Sequence, residues 1–168
     1  HKKYTLLPYN PSPVSAWRKF WKEEARRCRE GYVRESDGEW VTGDHYAYLN
    51  YGRIVATRID SEAGAIRPES FPDFYDGDYL YFHYLYQARI TGRYMKHGSS
   101  LKSRGQGYSF KHGALLAIGI CLGTGTKSKE NQNLFTFAED GEFLVKDGIL
   151  NKFLVNLDFI SKNTPFPT

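Results

Sequence analysis

The sequence predicts an α/β fold built on a parallel sheet. The second half of the chain alternates strand, glycine loop, helix, strand and helix, which is the order expected of such a fold. The glycine loop, "KSRGQGYSFK" at 102–111, has basic residues on both sides and stands between a predicted strand and a predicted helix. We therefore expect a helical and aromatic first region, 1–70, followed by the first part of an α/β core, 71–168.

The first region is predicted to open with an amphipathic helix. Ser15 is a suitable N-cap, and Gly31 is a suitable end. Apolar residues recur between them at helical spacing: Trp17, Phe20, Trp21, Ala25 and Cys28. After this helix, "HYAYLNY" at 45–51 is a short aromatic segment and "RIVATRI" at 53–59 is typical of a strand.

The second region supplies the alternation of strands and helices. A helix is predicted in 73–92, ending at Gly92, and a strand in "SSLKSR" at 99–104. The apolar run that follows the glycine loop predicts a buried helix, and "NLFTFAED" at 133–140 predicts a second buried strand. Helical periodicity then continues through 141–163, with a break near Gly148.

Composition narrows the class of protein only mildly. The net charge of +4 favours an anionic partner, although a basic protein without such a partner fits equally well. Cys28 and Cys121 have no spacing typical of a zinc site or a disulfide framework. With no apolar run of about 18 residues and no signal peptide, we expect a soluble intracellular protein without a membrane partner. The two ends of the chain suggest a fragment of a longer protein.

The glycine loop has the parts that bind a triphosphate. Such a site needs converging backbone N–H groups at a helix N-terminus, a cation, and a hydroxyl for Mg²⁺. Gly105-Gln106-Gly107 can form the turn, and Ser109 then lies in the first helical turn. The standard P-loop has a lysine where this chain has Tyr108, so Lys102 or Arg104 would have to supply the cation. On spacing alone, an ordinary basic turn remains open.

The loop resembles the deviant Walker A motif of large terminase subunits, the DNA-packaging motor ATPases of tailed phages. In several branches of that family the loop has the pattern K-[SA]-R-x-x-G-[FY]-S. The matching residues are Lys102, Ser103, Arg104, Gly107, Tyr108 and Ser109. The segments around "EWVTGDHYAYLNYGRI", "FPDFYDGDYLYFHYLYQAR" and "LFTFAED" also resemble family segments in the same order, so the similarity covers most of residues 10–165.

The resemblance implies a P-loop NTPase-like partial parallel sheet with flanking helices, and ATP and Mg²⁺ as cofactors. It assigns nucleotide binding to the whole loop: Lys102, Ser103, Arg104, Gly105, Gln106, Gly107, Tyr108 and Ser109. Lys102 and Arg104 would be the catalytic cations, and Ser109 would hold Mg²⁺. Adenine would lie near the start of the helix within 73–92, where the candidates are Phe71, Phe74 and Tyr75.

The resemblance also implies what the whole protein does. The Walker B strand, the catalytic glutamate and the nuclease of the family would lie beyond Thr168, so we expect an ATPase in the full protein and an inactive fragment here. ATP hydrolysis would drive double-stranded DNA into a procapsid in the host cytoplasm. The expected partners are the portal protein, the small terminase subunit and further copies of the chain in a ring.

Two other classes of function remain open from the sequence. A non-enzymatic nucleic-acid-binding module would use exposed aromatic residues and the basic face of the first helix, including Lys19, Arg26 and Arg27. A viral assembly protein would carry the glycine loop without using it. Asp44 and His45 in "TGDHY" lack further ligands at metal-binding spacing, so we expect them to make local hydrogen bonds.

Overall fold

The structure of the protein is a computed structural model that describes residues 7–55, 58–61, 64–66, 68–91, 101, 105–122, 141, 145 and 148–166. Within these residues, five helices supply most of the secondary structure. They are α1 (Ala16–Glu30), α2 (Gly43–Tyr51), α3 (Asp76–Ile90), α4 (Tyr108–Leu122) and α5 (Ile149–Asn163).

The strands of the described residues are short and pair only as antiparallel ribbons. β1 (Tyr32–Val33) pairs with β2 (Trp40–Val41). β3 (Ile54–Val55) pairs with β6 (Glu69–Ser70), and β4 (Arg58–Asp60) pairs with β5 (Gly64–Ile66). Each ribbon has two strands, so none of them forms a layer that could carry helices on its faces.

The predicted α/β, P-loop NTPase-like fold with a parallel sheet is wrong for the described residues, which pack helix against helix. The apolar run after the glycine loop was predicted to be a buried helix, and it is α4, which packs against α5 and α2. The sequence pattern could not distinguish these arrangements, because an apolar helix is buried equally well by a sheet or by other helices. The strands predicted at 99–104 and 133–140 lie outside the described residues, apart from Leu101.

Helix α2 is the centre of this arrangement. It contacts all four other helices, and every residue in it except Leu49 is buried. Thr42 caps it, since the Thr42 hydroxyl accepts a hydrogen bond from the N–H of His45. A helix buried on all sides cannot send its polar side chains to water, so its neighbours have to provide their partners.

Helix α1 provides one of these partners, the carboxylate of Glu24, which is only 2% exposed. It accepts a hydrogen bond from the Tyr51 hydroxyl at 2.6 Å and from the Tyr46 hydroxyl at 2.9 Å. The guanidinium of Arg27 lies 3.8 Å from it. Burial raises the pKa of both tyrosines, which keeps the two hydroxyls protonated as donors. This contact joins α1 to two positions of α2, the fourth residue Tyr46 and the last residue Tyr51.

Helices α4 and α5 form the largest helix–helix interface, and Gly113 sets how closely they approach. A Cβ atom at Gly113 would lie 2.7 Å from the Cβ of Lys152 and 2.9 Å from the backbone nitrogen of Phe153. The backbone of α5 occupies the space that a side chain would need. Glycine is therefore required at this position despite its unfavourable helix propensity.

In the part of the chain that the structure describes, no helix has both the length and the apolar composition needed to cross a bilayer.

Alanine substitution at two helical glycines is expected to have opposite effects. Gly113→Ala places a methyl group against the backbone of α5 and should lower the free energy of unfolding by about 1–3 kcal/mol, as overpacking does. Gly77→Ala adds a methyl group that meets nothing within 4 Å. It should raise the free energy of unfolding by up to about 1 kcal/mol, because alanine is the better helix former. Urea unfolding of both variants measures the difference, and a gain in stability at Gly113 would contradict the close approach.

Candidate functional site: the glycine turn before helix α4

The glycine turn enters α4 through two residues in the left-handed region of backbone conformation. Gly105 has a φ of +84° and Gly107 a φ of +66°. A side chain at Gly105 would meet nothing within 4 Å, and one at Gly107 would meet only the Cε of Lys111 at 4.0 Å. Both positions therefore favour glycine because of their conformation and not because of crowding. Left-handed residues beside right-handed ones can turn successive N–H groups towards one side, and such an alternation is a general feature of anion-binding nests.

The N-terminus of α4 follows the turn without an intervening residue. Its first turn contains no acidic residue that would repel an anion, and Ser109 in that turn is exposed. The N–H of Lys111 donates to the carbonyl of Gly107 at 3.0 Å, which begins the helical hydrogen-bond pattern at the glycine. The first N–H groups of a helix have no acceptor within it, and the helix dipole favours negative charge at this end. Backbone N–H groups at such a helix start are able to donate to an anion.

Lys111 lies directly behind the turn and is buried. Its ammonium forms an ion pair with the carboxylate of Asp78 in α3, and the side chains are 4% and 10% exposed. The same ammonium lies 4.7 Å from the ring centre of Tyr108 and 5.5 Å from that of Tyr81. This ion pair fixes the first turn of α4 to α3. This pair was not predicted from the sequence, although a lysine in a largely apolar helix was a signal that the charge needed a buried partner.

Tyr108, which stands in the lysine position of the standard P-loop, packs against α3. Its ring centre lies 5.1 Å from that of Tyr81 and 5.8 Å from that of His112. The Tyr108 carbonyl also lies 2.8 Å from the Nδ1 of His112. The Tyr108 side chain thus forms part of the wall that supports the turn.

The remaining loop residues predicted to bind nucleotide are placed as follows. Lys102, Ser103 and Arg104, which include both predicted catalytic cations, lie outside the described residues. Gly105 and Gln106 are exposed. The structure thus shows the second half of the predicted loop, from Gly105 to Ser109.

The three residues predicted to bind adenine each have different surroundings. Phe71 packs edge-on against Phe159 of α5, with ring centres 5.5 Å apart. Phe74 stacks on His45 at 5.1 Å, whereas Tyr75 precedes α3 and is 60% exposed. The structure does not bring these rings together into one clamp.

Asp44 and His45, which the sequence analysis expected to make local hydrogen bonds, differ in their surroundings. The carboxylate of Asp44 is buried and pairs with Arg89 of α3 at 2.5 Å. Neither ring nitrogen of His45 has a hydrogen-bond partner among the described residues. Within those same residues, no group of three histidine, cysteine or acidic side chains could hold a metal ion.

The ring of His45 is fully buried between two aromatic rings. It stacks on Phe82 with centres 4.8 Å apart and an angle of 11° between the planes, and it also stacks on Phe74 with centres 5.1 Å apart. Burial, with a further contribution from Lys111 and Arg34, lowers the pKa of His45 from 6.5 to about 4. The imidazole is therefore neutral at physiological pH and acts as a flat packing group beside the Asp78–Lys111 pair.

The basic face of α1, which the alternative nucleic-acid hypothesis requires, is largely paired. Arg26 donates to Glu23 at 2.8 Å and to Glu30 at 3.0 Å. Arg27 also donates to Glu23, at 2.9 Å, and its guanidinium lies over the ring of Tyr32. The three glutamates of α1 offset half of the charge of its six basic residues.

The buried His45 predicts that stability depends on pH. The unfolded state takes up a proton near pH 6.5, whereas the folded state does so only near pH 4. The free energy of unfolding should therefore fall as pH decreases from about 6.5 to about 4, by at most about 1.4 kcal/mol per pH unit and roughly 3 kcal/mol in total. His45→Phe keeps the ring stack and removes the titrating group. It should reduce the pH dependence of the free energy of unfolding by up to about 1.4 kcal/mol per pH unit, the contribution of one proton. Urea unfolding at several pH values tests this, and an unchanged slope in the variant would contradict it.

Comparisons of the chain with family models, with curated proteins and with solved structures give no match.

Proposed function

We propose that this chain is the nucleotide-binding N-terminal part of a large terminase subunit, whose ATP hydrolysis drives double-stranded DNA into a viral procapsid. The observation that carries the proposal is the glycine turn, in which Gly105 and Gly107 have left-handed conformations and lead directly into α4. Support also comes from the sequence of the loop, which resembles the deviant Walker A motif of that family. The parallel sheet that the resemblance implies is not found among the described residues, so the proposal rests on the turn and on the loop sequence.

The turn has the chemistry that a bound triphosphate requires. The N–H groups of the turn and of the first residues of α4 would donate to the phosphate oxygens. The exposed hydroxyl of Ser109 would be the protein ligand of Mg²⁺, an ion that usually keeps water and substrate phosphates as its other ligands. Lys102 would neutralise the negative charge that concentrates on the phosphates during transfer.

The surroundings of the turn are suited to holding it in place. Asp78 neutralises the charge of Lys111 in the buried pair, so Lys111 stabilises the position of α4. Lys102 would then supply the positive charge that contacts the phosphates. The rings of Tyr108 and Tyr81 pack over this pair. A turn supported in this way loses little conformational entropy when a ligand binds.

In the motor, this chain would act together with separate partners. We propose the portal protein, the small terminase subunit and other copies of the chain in a ring as those partners, in the host cytoplasm. We expect this chain to bind ATP, and ATP hydrolysis is proposed for the complete motor.

Calorimetric titration of the chain with MgATP tests the proposal. Lys102→Ala and Ser109→Ala should each weaken binding at least about tenfold, which corresponds to about 1.4 kcal/mol. Ser161→Ala is the matched control, because Ser161 is an exposed serine in α5 whose hydroxyl donates to the carbonyl of Asp158. This control should bind MgATP like the unmodified chain.

Two results would contradict the proposed function. One is a folded chain that does not bind MgATP. The other is binding that is equally strong in the Lys102, Ser109 and Ser161 variants. Salt-dependent DNA binding that is lost in Lys19→Ala but unaffected by changes in the turn would favour the nucleic-acid-binding alternative.

A further inference from the structure

A cleft lies between the proline-rich arm at 7–13 and the C-terminal end of α5. Its volume is about 400 Å³, and its walls include Tyr9 of the arm and Trp17 of α1. Lys162 and Asn163 line it from the last turn of α5. Trp21, which is only 6% exposed, is the buried part of the lining. The cleft is thus built from three separate parts of the chain.

Two aromatic rings on the exposed side of the cleft can pack against a flat ligand. Tyr9 is 74% exposed, and its ring centre lies 5.0 Å from that of Trp17 at an angle of 77° between the planes. Rings that meet edge to face in this way form a corner and leave ring surface uncovered. The volume is well above the roughly 150 Å³ that holds a benzene molecule, so a purine or pyrimidine base fits the cleft.

The first half of α1 carries positive charge beside these rings. Residues 16–22 include Arg18, Lys19 and Lys22 and no acidic residue. All three side chains are exposed, and none of them forms an ion pair with another described residue. The pairing of Arg26 with Glu23 is confined to the second half of the helix. Charge complementarity therefore favours an anionic partner at this end of α1.

Helix geometry places the rings and the cations in neighbouring rows. Trp17 and Trp21 are four residues apart and share one face of α1. Arg18 and Lys22 have the same spacing and lie about 100° further around the helix axis. Lys162 adds a cation in the cleft itself, where its side chain is 70% exposed. Its ion pair within α5 is a surface pair, which contributes little to stability and can be exchanged for a phosphate.

A row of aromatic rings beside a row of cations matches the chemistry of a single strand of nucleic acid. Proteins that bind single strands combine rings on which bases stack with a positively charged surface that follows the phosphates. In a duplex the bases are stacked on one another, so they are not free to enter a cleft of this kind. The partner that this surface fits is therefore a strand with unpaired bases.

We infer that the cleft of Tyr9 and Trp17 binds single-stranded DNA, with a base in the corner of the two rings and phosphates beside Arg18 and Lys22. This site goes beyond the proposed function, which involves the glycine turn and double-stranded DNA. Only the choice of DNA over RNA rests on the proposed function, because the motor acts on DNA.

Fluorescence anisotropy with a labelled thymidine oligonucleotide tests this inference. Tyr9→Ala and Trp17→Ala should each weaken binding about tenfold, within the loss expected when a stacking partner is removed. Arg18→Ala and Lys22→Ala should also weaken binding, and each should reduce the slope of log affinity against log salt by about 0.7, the value for one phosphate contact with a single strand. The two aromatic variants should keep the slope of the unmodified chain.

Two variants are the matched controls. Tyr84→Ala removes a tyrosine of α3 that is 50% exposed and does not line the cleft. Arg26→Ala removes an arginine of α1 that is already paired with Glu23 and Glu30. Both should bind the oligonucleotide within about twofold of the unmodified chain, with the same salt dependence. Circular dichroism shows whether each variant is folded, and a duplex of the same sequence should bind at least about tenfold more weakly.

Several results would overturn the site. They are a folded chain that does not bind the oligonucleotide, equal affinities in Tyr9→Ala and Tyr84→Ala, and a duplex that binds as tightly as the single strand. Tighter binding of the matching RNA strand would overturn the choice of DNA.

Titration with MgATP separates this site from the proposed function. If the chain binds MgATP but not the oligonucleotide, the DNA site is wrong and the proposed function stands. If the oligonucleotide binds with the expected losses but MgATP does not bind, the DNA site stands and the proposed function is wrong.

Discussion

The complete burial of α2 is the constraint on which the rest of this structure depends. A nine-residue helix with polar side chains lies inside the protein, where a polar side chain without a hydrogen-bond partner costs about 1–3 kcal/mol. Glu24 of α1 accepts from Tyr46 and Tyr51, and Arg89 of α3 pairs with Asp44. These contacts specify which helices surround α2 and in which orientation.

A buried polar contact also joins α3 to α4, next to the candidate site. Asp78 and Lys111 form a buried pair between these helices, and the glycine turn begins directly above Lys111. Breaking such a pair by removing one partner usually costs about 3–5 kcal/mol, so the position of the first turn of α4 is strongly held. The proposed phosphate site is therefore held in place by a buried contact of the core, although Gly105, Gln106 and Ser109 themselves are exposed.

Local sequence signals predicted the helices well where one face is polar or a cap is present. Ser15 and Gly31 correctly bounded α1, Gly107 correctly preceded α4, and the break near Gly148 coincides with the N-cap of α5. The helical nature of "HYAYLNY" was not predicted, because a helix buried on all sides lacks the polar face that gives helical periodicity. The prediction of a parallel sheet was wrong, because the alternation of strand-like and helix-like segments along the sequence does not reveal whether an apolar helix packs against a sheet or against other helices.

The candidate site likewise has features that the sequence predicted and features that it could not predict. The left-handed glycines and the exposed Ser109 follow from the local pattern of the loop. The Asp78–Lys111 pair joins residues that are 33 positions apart, and no local pattern contains that information. The adenine candidates failed to come together for the same reason, because the sequence showed three nearby aromatic residues but not that Phe71 faces α5 and Phe74 faces α2.

The central claim, that buried polar contacts hold α2 in place, is tested most directly by comparing two neighbouring glutamates in α1. Glu24 is buried against Tyr46 and Tyr51, whereas the Glu23 side chain is 41% exposed and pairs with Arg26 on the surface. Urea unfolding should show that Glu24→Ala lowers the free energy of unfolding by about 3 kcal/mol or more, because two buried hydroxyls lose their acceptor. Glu23→Ala should cost less than about 1 kcal/mol. Equal small losses in both variants would contradict the claim.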